Sequence, residues 1–281
     1  KILRDIISNL PVQSVSGNLD IPVDRIVTDS RIARQGDLFI AVRGTKFDGH
    51  SFIPEVIRQR VNAVVCESIP ENVSGEITWI KVPDTSSAPG LLASAFYGNP
   101  SAHLKLVGVT GTNGKTTTAT LLYRLFWALG YKAGLMSTIC NYIGEEVLPA
   151  THTTPDPIQL QGLLHRMVQE NCTHCFMEVS SHAAHQNRIA GIEFSGAVFT
   201  NLTHDHLDYH QTFDNYLQAK KKFFDELPQR AFALVNRDDR NGMVMIQNTK
   251  ADRKTYSLKS PSDFHARILE SHMEGMLLKI G

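Results

Sequence analysis

Long apolar runs and an excess of one charge are both missing from this sequence of 281 residues. No stretch reaches the roughly 20 apolar residues that span a bilayer, and the N-terminus lacks a charged-then-apolar secretion signal. Lys and Arg total 28, as do Asp and Glu, so no basic surface for nucleic acid or anionic lipid is indicated. We therefore expect a cytoplasmic monomer that binds neither nucleic acid nor membrane.

Cysteine is scarce as well, with four in the chain. Cys172 and Cys175 form a single Cys-x-x-Cys with His174 between them. A zinc or redox site would need partners that the sequence does not offer. We expect reduced cysteines at the start of a buried strand, which fits the cytosol.

The most informative stretch that is present predicts a phosphate-binding loop. Residues 104–109 are an apolar run of β-formers, glycines up to Gly114 break it, and a helical pattern begins at Lys115. In such a turn backbone N–H groups face a polyphosphate, the lysine reaches its β- and γ-phosphates, and the Thr116 hydroxyl can hold Mg²⁺. The usual motif has glycine where this chain has Val109, so the match is to a variant. The alternative is a glycine-rich turn with an incidental lysine.

Two α/β domains are predicted. Residues 1–100 resemble a small α/β domain, and a Gly-Asn-Pro-Ser cluster separates them from residues 101–281. In the second part strands and helices alternate, which favours a mostly parallel, doubly wound sheet. Ligands of such sheets lie beyond the carboxyl ends of the strands, so Lys115, Glu178 and residues 201–204 should converge there.

Further polar segments could contribute to a binding or catalytic site, and each has an alternative interpretation. Glu178 ends an apolar strand, where a P-loop protein places an acid that helps to hold Mg²⁺. Residues 203–210 resemble a zinc-hydrolase motif, but Tyr209 stands where its last histidine belongs; the other interpretation is one histidine beside Mg²⁺ and phosphate. Residues 180–188 offer Ser, Gln and Arg to a carboxylate or diphosphate, unless they form a plain polar helical face. Residues 43–50 suit a loop that packs on a ligand ring, unless they are merely connecting structure.

Together these motifs resemble those of the Mur ligases, ATP-dependent amide ligases that build the peptidoglycan stem peptide. The resemblance spans nearly the whole chain and rests on residues 111–117, 178–182, 201–210 and 219–220. Three further motifs point to the branch that adds the third residue to UDP-N-acetylmuramoyl-L-Ala-D-Glu: Asp-Ser-Arg at 29–31, Gly-Asp-Leu-Phe at 36–39 and Thr-Thr-Pro-Asp-Pro at 153–157.

The resemblance implies a reaction and a set of residues. ATP phosphorylates the D-Glu γ-carboxylate, and an amine, diaminopimelate or alternatively lysine, attacks the acyl phosphate. ATP would be held by Gly111, Thr112, Asn113, Gly114, Lys115, Thr116 and Thr117. Mg²⁺ would be held by Thr116, Glu178, His206 and a carbamylated Lys220, and the catalytic set is Lys115, Lys220 and His206. The UDP part would contact Thr28, Ser30, Thr45, Lys46 and Phe47. The muramoyl-dipeptide would contact His152, Thr153, Thr154, Ser180, Gln186 and Arg188, although the family often has Asn at 152.

Lys220 begins a run of three lysines on a predicted helix, where successive side chains point about 100° apart. Lys221 and Lys222 are interpreted as a solvated basic face. By resemblance Lys220 is the carbamylated position. A partly buried amine has a lowered pKa and can take up CO₂, and the carbamate oxygens suit Mg²⁺.

Mur ligases have a third domain, which binds the incoming amino acid, and its motifs do not occur in this sequence. We therefore expect a UDP-binding domain with most of an ATPase domain, and little activity from these residues alone. The rival interpretations are a ligase of the folylpolyglutamate synthase type, a P-loop phosphotransferase, a zinc hydrolase and a non-catalytic UDP-sugar-binding module.

Overall fold

The computed structural model describes residues 1–44, 47–71, 75–203, 207–272 and 275–281, without the side chains of residues 207 and 208. The chain divides into two compact units. Unit 1 consists of Lys1–Pro100, Pro155–Arg166 and Gln186–Ile192, and unit 2 of Ser101–Thr154, Met167–His185 and Glu193–Gly281. Two segments that follow residue 100 in the sequence therefore fold with the N-terminal unit.

Unit 1 is built on a five-stranded sheet in the order β1-β5-β4-β3-β2, parallel except for the β1–β5 pair. Its elements are α1 (Leu3–Ile6), β1 (Ser14–Ser16), β2 (Arg25–Val27), β3 (Asp37–Ile40), α2 (Ile53–Arg58), β4 (Ala63–Cys66), β5 (Thr78–Lys81) and α3 (Ala88–Tyr97). Alternate residues of β3 point to opposite faces, so Leu38 and Ile40 join one apolar core and Phe39 joins another. Both faces of the sheet are therefore covered, as parallel sheets require.

Unit 2 contains a ten-stranded sheet in the order β15-β14-β13-β12-β11-β6-β10-β7-β8-β9. The strands are β6 (Lys105–Thr110), β7 (Ala133–Met136), β8 (Cys140–Ile143), β9 (Glu146–Pro149), β10 (His174–Glu178), β11 (Gly196–Phe199), β12 (Phe232–Asn236), β13 (Asp252–Ser257), β14 (Phe264–His272) and β15 (Gly275–Ile280). The helices are α4 (Lys115–Ala128), α5 (Pro157–Gln169, mostly in unit 1), α6 (Ser181–His185), α7 (Leu207–His210), α8 (Phe213–Asp225) and α9 (Gly242–Met245). Strands β14 to β7 run parallel, and the strands at either end are antiparallel.

The predicted α/β fold with a mostly parallel central sheet is confirmed. The chain leaves β6 towards β7 and leaves β11 towards β12, in opposite directions along the sheet. The sheet therefore changes winding direction between β6 and β11, which is where such sheets bind ligands. Helix α8 lies close to β6 because Gly108 has no side chain: a Cβ there would lie 2.5 Å from a ring carbon of Phe223.

The sequence pattern missed the hairpin β8–β9 and the strand β13. Strand β13 is rich in polar residues and half-exposed, so it carries no apolar run. No helix in the described ranges is long and apolar enough to cross a membrane. The cysteines at 172 and 175 are buried, and burial raises the pKa of the Cys172 thiol.

Candidate functional site

The turn after β6 has the backbone of a phosphate-binding loop. Gly111 and Gly114 have φ angles of 149° and 84°, which favour glycine. A Cβ on Gly111 would overlap the hydroxyl oxygen of Thr200, so a side chain has no room there. Helix α4 begins immediately afterwards at Lys115, and its first N–H groups add partial positive charge to the turn.

The end of β11 holds this loop in place through backbone and amide groups. The Asn113 N–H donates to Asn201 Oδ1 at 3.0 Å, and Asn201 Nδ2 donates back to the Asn113 carbonyl at 3.1 Å. The Thr112 N–H donates to the Asn201 carbonyl at 2.8 Å, and the Thr200 hydroxyl donates to the Asn113 carbonyl at 2.7 Å. The predicted convergence of the strand ends is therefore present for the loop and Asn201.

Lys115 folds back over its own loop. Its Nζ donates to the carbonyl oxygens of Gly111 and Thr112, each at 2.9 Å. This places an ammonium group at the loop's mouth, where the side chain can turn towards a bound phosphate. The position suits a lysine that contacts the β- and γ-phosphates.

Glu178, at the carboxyl end of β10, is completely buried and faces the start of α4. Its Oε1 accepts hydrogen bonds from the Thr116 hydroxyl and the Thr138 N–H, both at 2.8 Å. Its Oε2 accepts from the Thr138 hydroxyl at 3.2 Å. A carboxylate and a hydroxyl 2.8 Å apart beside a phosphate loop are oxygen ligands of the kind Mg²⁺ prefers. The residues present therefore fit a Mg²⁺–nucleotide site.

The predicted dipeptide contacts in unit 2 surround the end of β10. The buried Thr154 hydroxyl donates to the Glu178 carbonyl at 2.8 Å and accepts from the Ser180 N–H at 3.2 Å. Thr153 Oγ1 lies 3.1 Å from Thr138 Oγ1, and His152 is exposed. Thr154 therefore shapes the turn after β10, and its hydroxyl is already engaged by backbone groups.

Lys220 on α8 is 2% exposed, and its Nζ lies under the phosphate loop. It donates to the Gly111 carbonyl at 3.0 Å and to Thr110 Oγ1 at 3.4 Å, and it lies 4.9 Å from the ring centroid of Tyr216. Lys115 and Lys220 thus share one carbonyl acceptor.

The interpretation of Lys221 as a solvated residue was wrong. Lys221 is 4% exposed, and its Nζ lies 2.6 Å from Asp225 Oδ1, one helical turn away. The carboxylate neutralises the charge, which allows the lysine to be buried. Lys222 is half-exposed and lies beside Glu226, as a solvated face requires.

The histidine-rich segment can be described only in part. His204 and His206 lie outside the described residues, whereas His210 is buried with its Nε2 3.0 Å from Ser181 Oγ. Within the ranges that the structure describes, no group of three His, Cys, Asp or Glu side chains is arranged to hold a metal ion. His210 instead connects α7 to the start of α6.

In unit 1 the predicted UDP contacts lie in the turns after β2 and β3. Thr28 is exposed, whereas Ser30 is buried and its hydroxyl donates to Glu55 Oε2 at 2.7 Å. Phe47 is 73% exposed and its carbonyl accepts from the Gly44 N–H at 3.0 Å, while Thr45 and Lys46 lie outside the described residues. An exposed ring on a closed loop suits stacking on a planar ligand group.

Gln186 and Arg188 belong to unit 1, whereas the other predicted dipeptide contacts belong to unit 2. Arg188 Nε and Nη2 donate to Gln186 Oε1 at 2.9 and 2.7 Å. Asn187, between them, has a φ of 54° and donates from Nδ2 to Ser86 Oγ at 2.9 Å. The Arg188 guanidinium is thus held by a fixed loop of unit 1.

Sequence reasoning missed two residues that contact the site in unit 2. Thr138 supplies a backbone and a hydroxyl donor to Glu178, and Tyr216 Oη lies 3.0 Å from Thr112 Oγ1. Thr138 follows β7, which pairs with β10. Its position at the end of the strand next to Glu178 could have identified it from the sequence. Tyr216 is one helical turn before Lys220, on the same face of α8.

Comparison with protein-family models gives two matches, one to the N-terminal part of the chain and one to the rest. Residues 22–97 match the model described as "Mur ligase family, catalytic domain". Residues 109–280 match the model described as "Mur ligase middle domain".

Among curated proteins, the chain is similar to those named UDP-N-acetylmuramoyl-L-alanyl-D-glutamate–2,6-diaminopimelate ligase. It is 54% identical to that of Bacteroides fragilis over 98% of this chain, and 56% identical to that of Cytophaga hutchinsonii over 99%. It spans 57% of the length of each. A solved structure described by the same ligase name has a TM-score of 0.84 at 26% identity, covering 100% of this chain and 57% of that one. A MurF structure from Acinetobacter baumannii shares the fold, with a TM-score of 0.58 at 20% identity over 92% of this chain and 55% of that one.

Proposed function

Because this chain belongs to the Mur ligase family, we propose that it is the UDP- and ATP-binding part of a ligase that joins diaminopimelate to UDP-N-acetylmuramoyl-L-alanyl-D-glutamate. The names of the relatives supply the substrate and the amine. Lysine is the alternative amine. The protein works as a monomer in the cytoplasm, and unit 1 and unit 2 each contribute one nucleotide site.

One observation carries the proposal: the buried carboxylate of Glu178 faces the Thr116 hydroxyl at the foot of a glycine-rich phosphate loop. Gly111 to Thr117 cradle the ATP phosphates, and Thr116, Glu178 and His206 hold Mg²⁺. When bound, the ion neutralises phosphate charge. Lys115 turns from its two carbonyl acceptors to the β- and γ-phosphates, so its charge acts where negative charge accumulates during transfer.

The reaction balances through an acyl phosphate. A carboxylate oxygen of the D-Glu side chain attacks the γ-phosphorus of ATP, and ADP leaves. The amine then attacks the acyl carbon, loses a proton and expels inorganic phosphate as the amide bond forms. Ser180, Thr153, Thr154 and His152 orient the dipeptide, together with Gln186 and Arg188, whose guanidinium suits a carboxylate.

Lys220 carries a carbamate in the working enzyme. Its neutral Nζ adds to CO₂ and releases a proton, which leaves an anion with two oxygens. Lys220 is buried, and removal from water disfavours the charged form of an amine. The carbamate oxygens would join the Glu178 carboxylate and a ring nitrogen of His206 as ligands of Mg²⁺.

Unit 1 binds the UDP part of the substrate. Phe47, Thr45 and Lys46 contact it from the loop after β3, and Thr28 and Ser30 from the turn after β2. The exposed Phe47 ring offers an open contact, and the hydrogen bond from buried Ser30 to Glu55 holds the turn after β2 in place.

The decisive test is product formation by the full-length protein. We expect ADP and a UDP-muramoyl-tripeptide, identified by mass, only when UDP-N-acetylmuramoyl-L-Ala-D-Glu, ATP, Mg²⁺ and diaminopimelate are all present. Substituting lysine distinguishes the two amines. ATP hydrolysis without an amide product under all these conditions would refute the proposal. The 281-residue chain, which spans 57% of its relatives' length, should form no tripeptide.

A further inference from the structure

The phosphate loop is held by a short stretch of chain that follows β11, the Asn201 segment (residues 200–203). Within it, Asn201 exchanges two hydrogen bonds with Asn113 of the loop. The Thr200 N–H donates to the Thr110 carbonyl at the end of β6, at 3.0 Å. On this side the segment therefore bonds to β6 and to the loop that it holds. Contacts on its other side decide how firmly segment and loop are placed relative to the rest of the sheet.

The end of β12 supplies contacts on that other side through two side chains. Asn236 Nδ2 donates to the Thr200 carbonyl at 3.0 Å, and Asp239 Oδ2 accepts from the Leu202 N–H at 2.9 Å. The residues immediately before and after Asn201 are thus both held. The backbone pairing of β11 with β12 ends before this point, so the two side chains extend the contact between the strands beyond their ladder.

Asp239 is itself fixed by the turn that leads from β12 to α9. Its Oδ1 accepts from the N–H and from Nδ2 of Asn241, at 2.8 and 3.2 Å. The Gly242 N–H donates to the Asp239 carbonyl at 3.0 Å, and Asn241 is buried. One oxygen of the carboxylate therefore bonds to the turn, and the other bonds to the Asn201 segment.

We propose that Asp239 is a positioning residue for ATP, because its bond to Leu202 fixes the Asn201 amide that holds the phosphate loop. Asn236 supports the same segment. Neither side chain needs to contact the nucleotide. If the Asn201 amide shifted, both bonds to Asn113 would weaken and the N–H groups of the loop would no longer converge on the phosphates. This inference rests on the proposed function, since ATP binding by the loop does.

Asp239→Asn tests the contact with little change in shape. A carboxylate accepts at both oxygens, whereas an amide has one oxygen and an NH₂ group that only donates. In the variant either Leu202 or Asn241 therefore faces a donor. Asp238→Asn is the matched control, because Asp238 also accepts from backbone N–H groups, those of residues 258–260 in the turn after β13.

Hydrogen–deuterium exchange of the full-length protein without ligands tests the support of the loop. We expect Asp239→Asn to raise exchange in residues 111–117 about tenfold, the effect of losing one hydrogen bond to a charged group. Asp238→Asn should leave that loop unchanged and raise exchange in residues 258–260. Asn236→Ala, which removes the other bond to the Asn201 segment, should loosen the same loop. It provides the test if Asp239→Asn does not fold.

Calorimetric titration of a non-hydrolysable Mg²⁺–ATP analogue into the full-length protein tests the consequence for the nucleotide. We expect about tenfold weaker binding to Asp239→Asn and unchanged binding to Asp238→Asn. UDP-N-acetylmuramoyl-L-Ala-D-Glu should bind to both variants as it does to wild type. In activity assays Asp239→Asn should raise the KM for ATP and leave the KM for the UDP substrate unchanged.

A double-mutant cycle identifies the route by which Asp239 acts. If it acts through Asn201, Asp239→Asn in an Asn201→Ala background should weaken binding of the analogue less than about twofold further. Two fully additive losses would show that Asp239 acts by another route and would overturn the inference.

The remaining outcomes distinguish this inference from the proposed function. If wild type binds the analogue but Asp239→Asn has wild-type loop exchange or wild-type affinity, Asp239 has no positioning role for ATP. Equal losses of affinity for the analogue and for the UDP compound would indicate a purely structural residue and would contradict the inference as well. If wild type binds no analogue, the proposed function is wrong, and the inference fails with it whatever the exchange rates are.

Discussion

The two loops that we propose to bind nucleotides are held in different ways. The phosphate loop of unit 2 is engaged from below by Lys220, from one side by Asn201 and across its mouth by Lys115, all residues of the same unit. The Phe47 loop of unit 1 (residues 43–48) is closed by backbone bonds at its base, and the Phe47 ring is exposed. The first loop is preorganised for a small, highly charged group, whereas the second offers an open contact surface.

This difference has consequences for mutation. In the phosphate loop each residue supports others, so a single change should disturb the whole site and cost orders of magnitude. In the Phe47 loop one side chain can be removed without moving the backbone, so effects should be graded and confined to one ligand. The predictions below test that contrast, beginning with the largest expected effect.

Glu178→Gln should reduce ligase activity of the full-length protein about a thousandfold, because it removes the buried negative charge that faces Thr116. Glutamine has nearly the same shape, so the melting temperature without nucleotide should change little, while stabilisation by Mg²⁺–ATP should disappear. Glu145→Gln, at an exposed position, is the control. An unchanged response to Mg²⁺–ATP in Glu178→Gln would remove Glu178 from the metal site.

Lys220→Ala should remove most of the activity, and short carboxylic acids should restore part of it by replacing the carbamate oxygens. Lys222→Ala, two positions along the same helix and half-exposed, should have normal activity and no response to the acids. Carbon-13 NMR with labelled bicarbonate should show a carbamate signal in wild type that Lys220→Ala lacks. A wild-type enzyme with full activity and no such signal would exclude the carbamate.

Gly111→Ala should weaken ATP binding about a hundredfold, because the new methyl group overlaps Thr200 and shifts the loop. Gly130→Ala is the comparison: its φ is also positive, at 85°, but nothing lies within 4 Å of the added carbon. That variant should lose about 1 kcal/mol of folding stability and keep its ATP affinity. Equal ATP affinities for the two variants would show that the close contact with Thr200 is unimportant.

Phe47→Ala should weaken binding of the UDP substrate about two- to tenfold, the usual contribution of one aromatic contact, and leave ATP binding unchanged. Phe52→Ala, at a 40% exposed aromatic outside the loop, is the control. A loss of ATP affinity in Phe47→Ala would contradict the separation of the two loops.

Sequence alone predicted the parts of the fold that have strong periodicity. The apolar run at β6, the glycine turn and α4 follow from residue type, because a buried parallel strand and a phosphate turn each require particular side chains. Strand β13 could not be found, since its residues are polar and its pairing with β12 depends on distant sequence. The burial of Lys221 was equally hidden: an Asp four residues later indicates a pair but does not reveal on which face of α8 it lies.

The sequence predicted those site residues that lie at the carboxyl ends of apolar strands. Glu178 was found because it ends an apolar strand that follows a phosphate loop, where a P-loop protein places an acid, and it contacts Thr116 of that loop's helix. Thr138 was missed because a threonine after a strand is common, and its role becomes visible only when β7 and β10 are paired.

Calorimetry on the 281-residue chain tests the central claim most directly, with a non-hydrolysable Mg²⁺–ATP analogue and UDP-N-acetylmuramoyl-L-Ala-D-Glu titrated separately into wild type, Gly111→Ala and Phe47→Ala. The account predicts that wild type binds both ligands, that Gly111→Ala loses the ATP analogue and keeps the UDP compound, and that Phe47→Ala does the reverse to a smaller extent. Failure of wild type to bind the UDP compound, or loss of both ligands in either variant while the fold is intact, would contradict it.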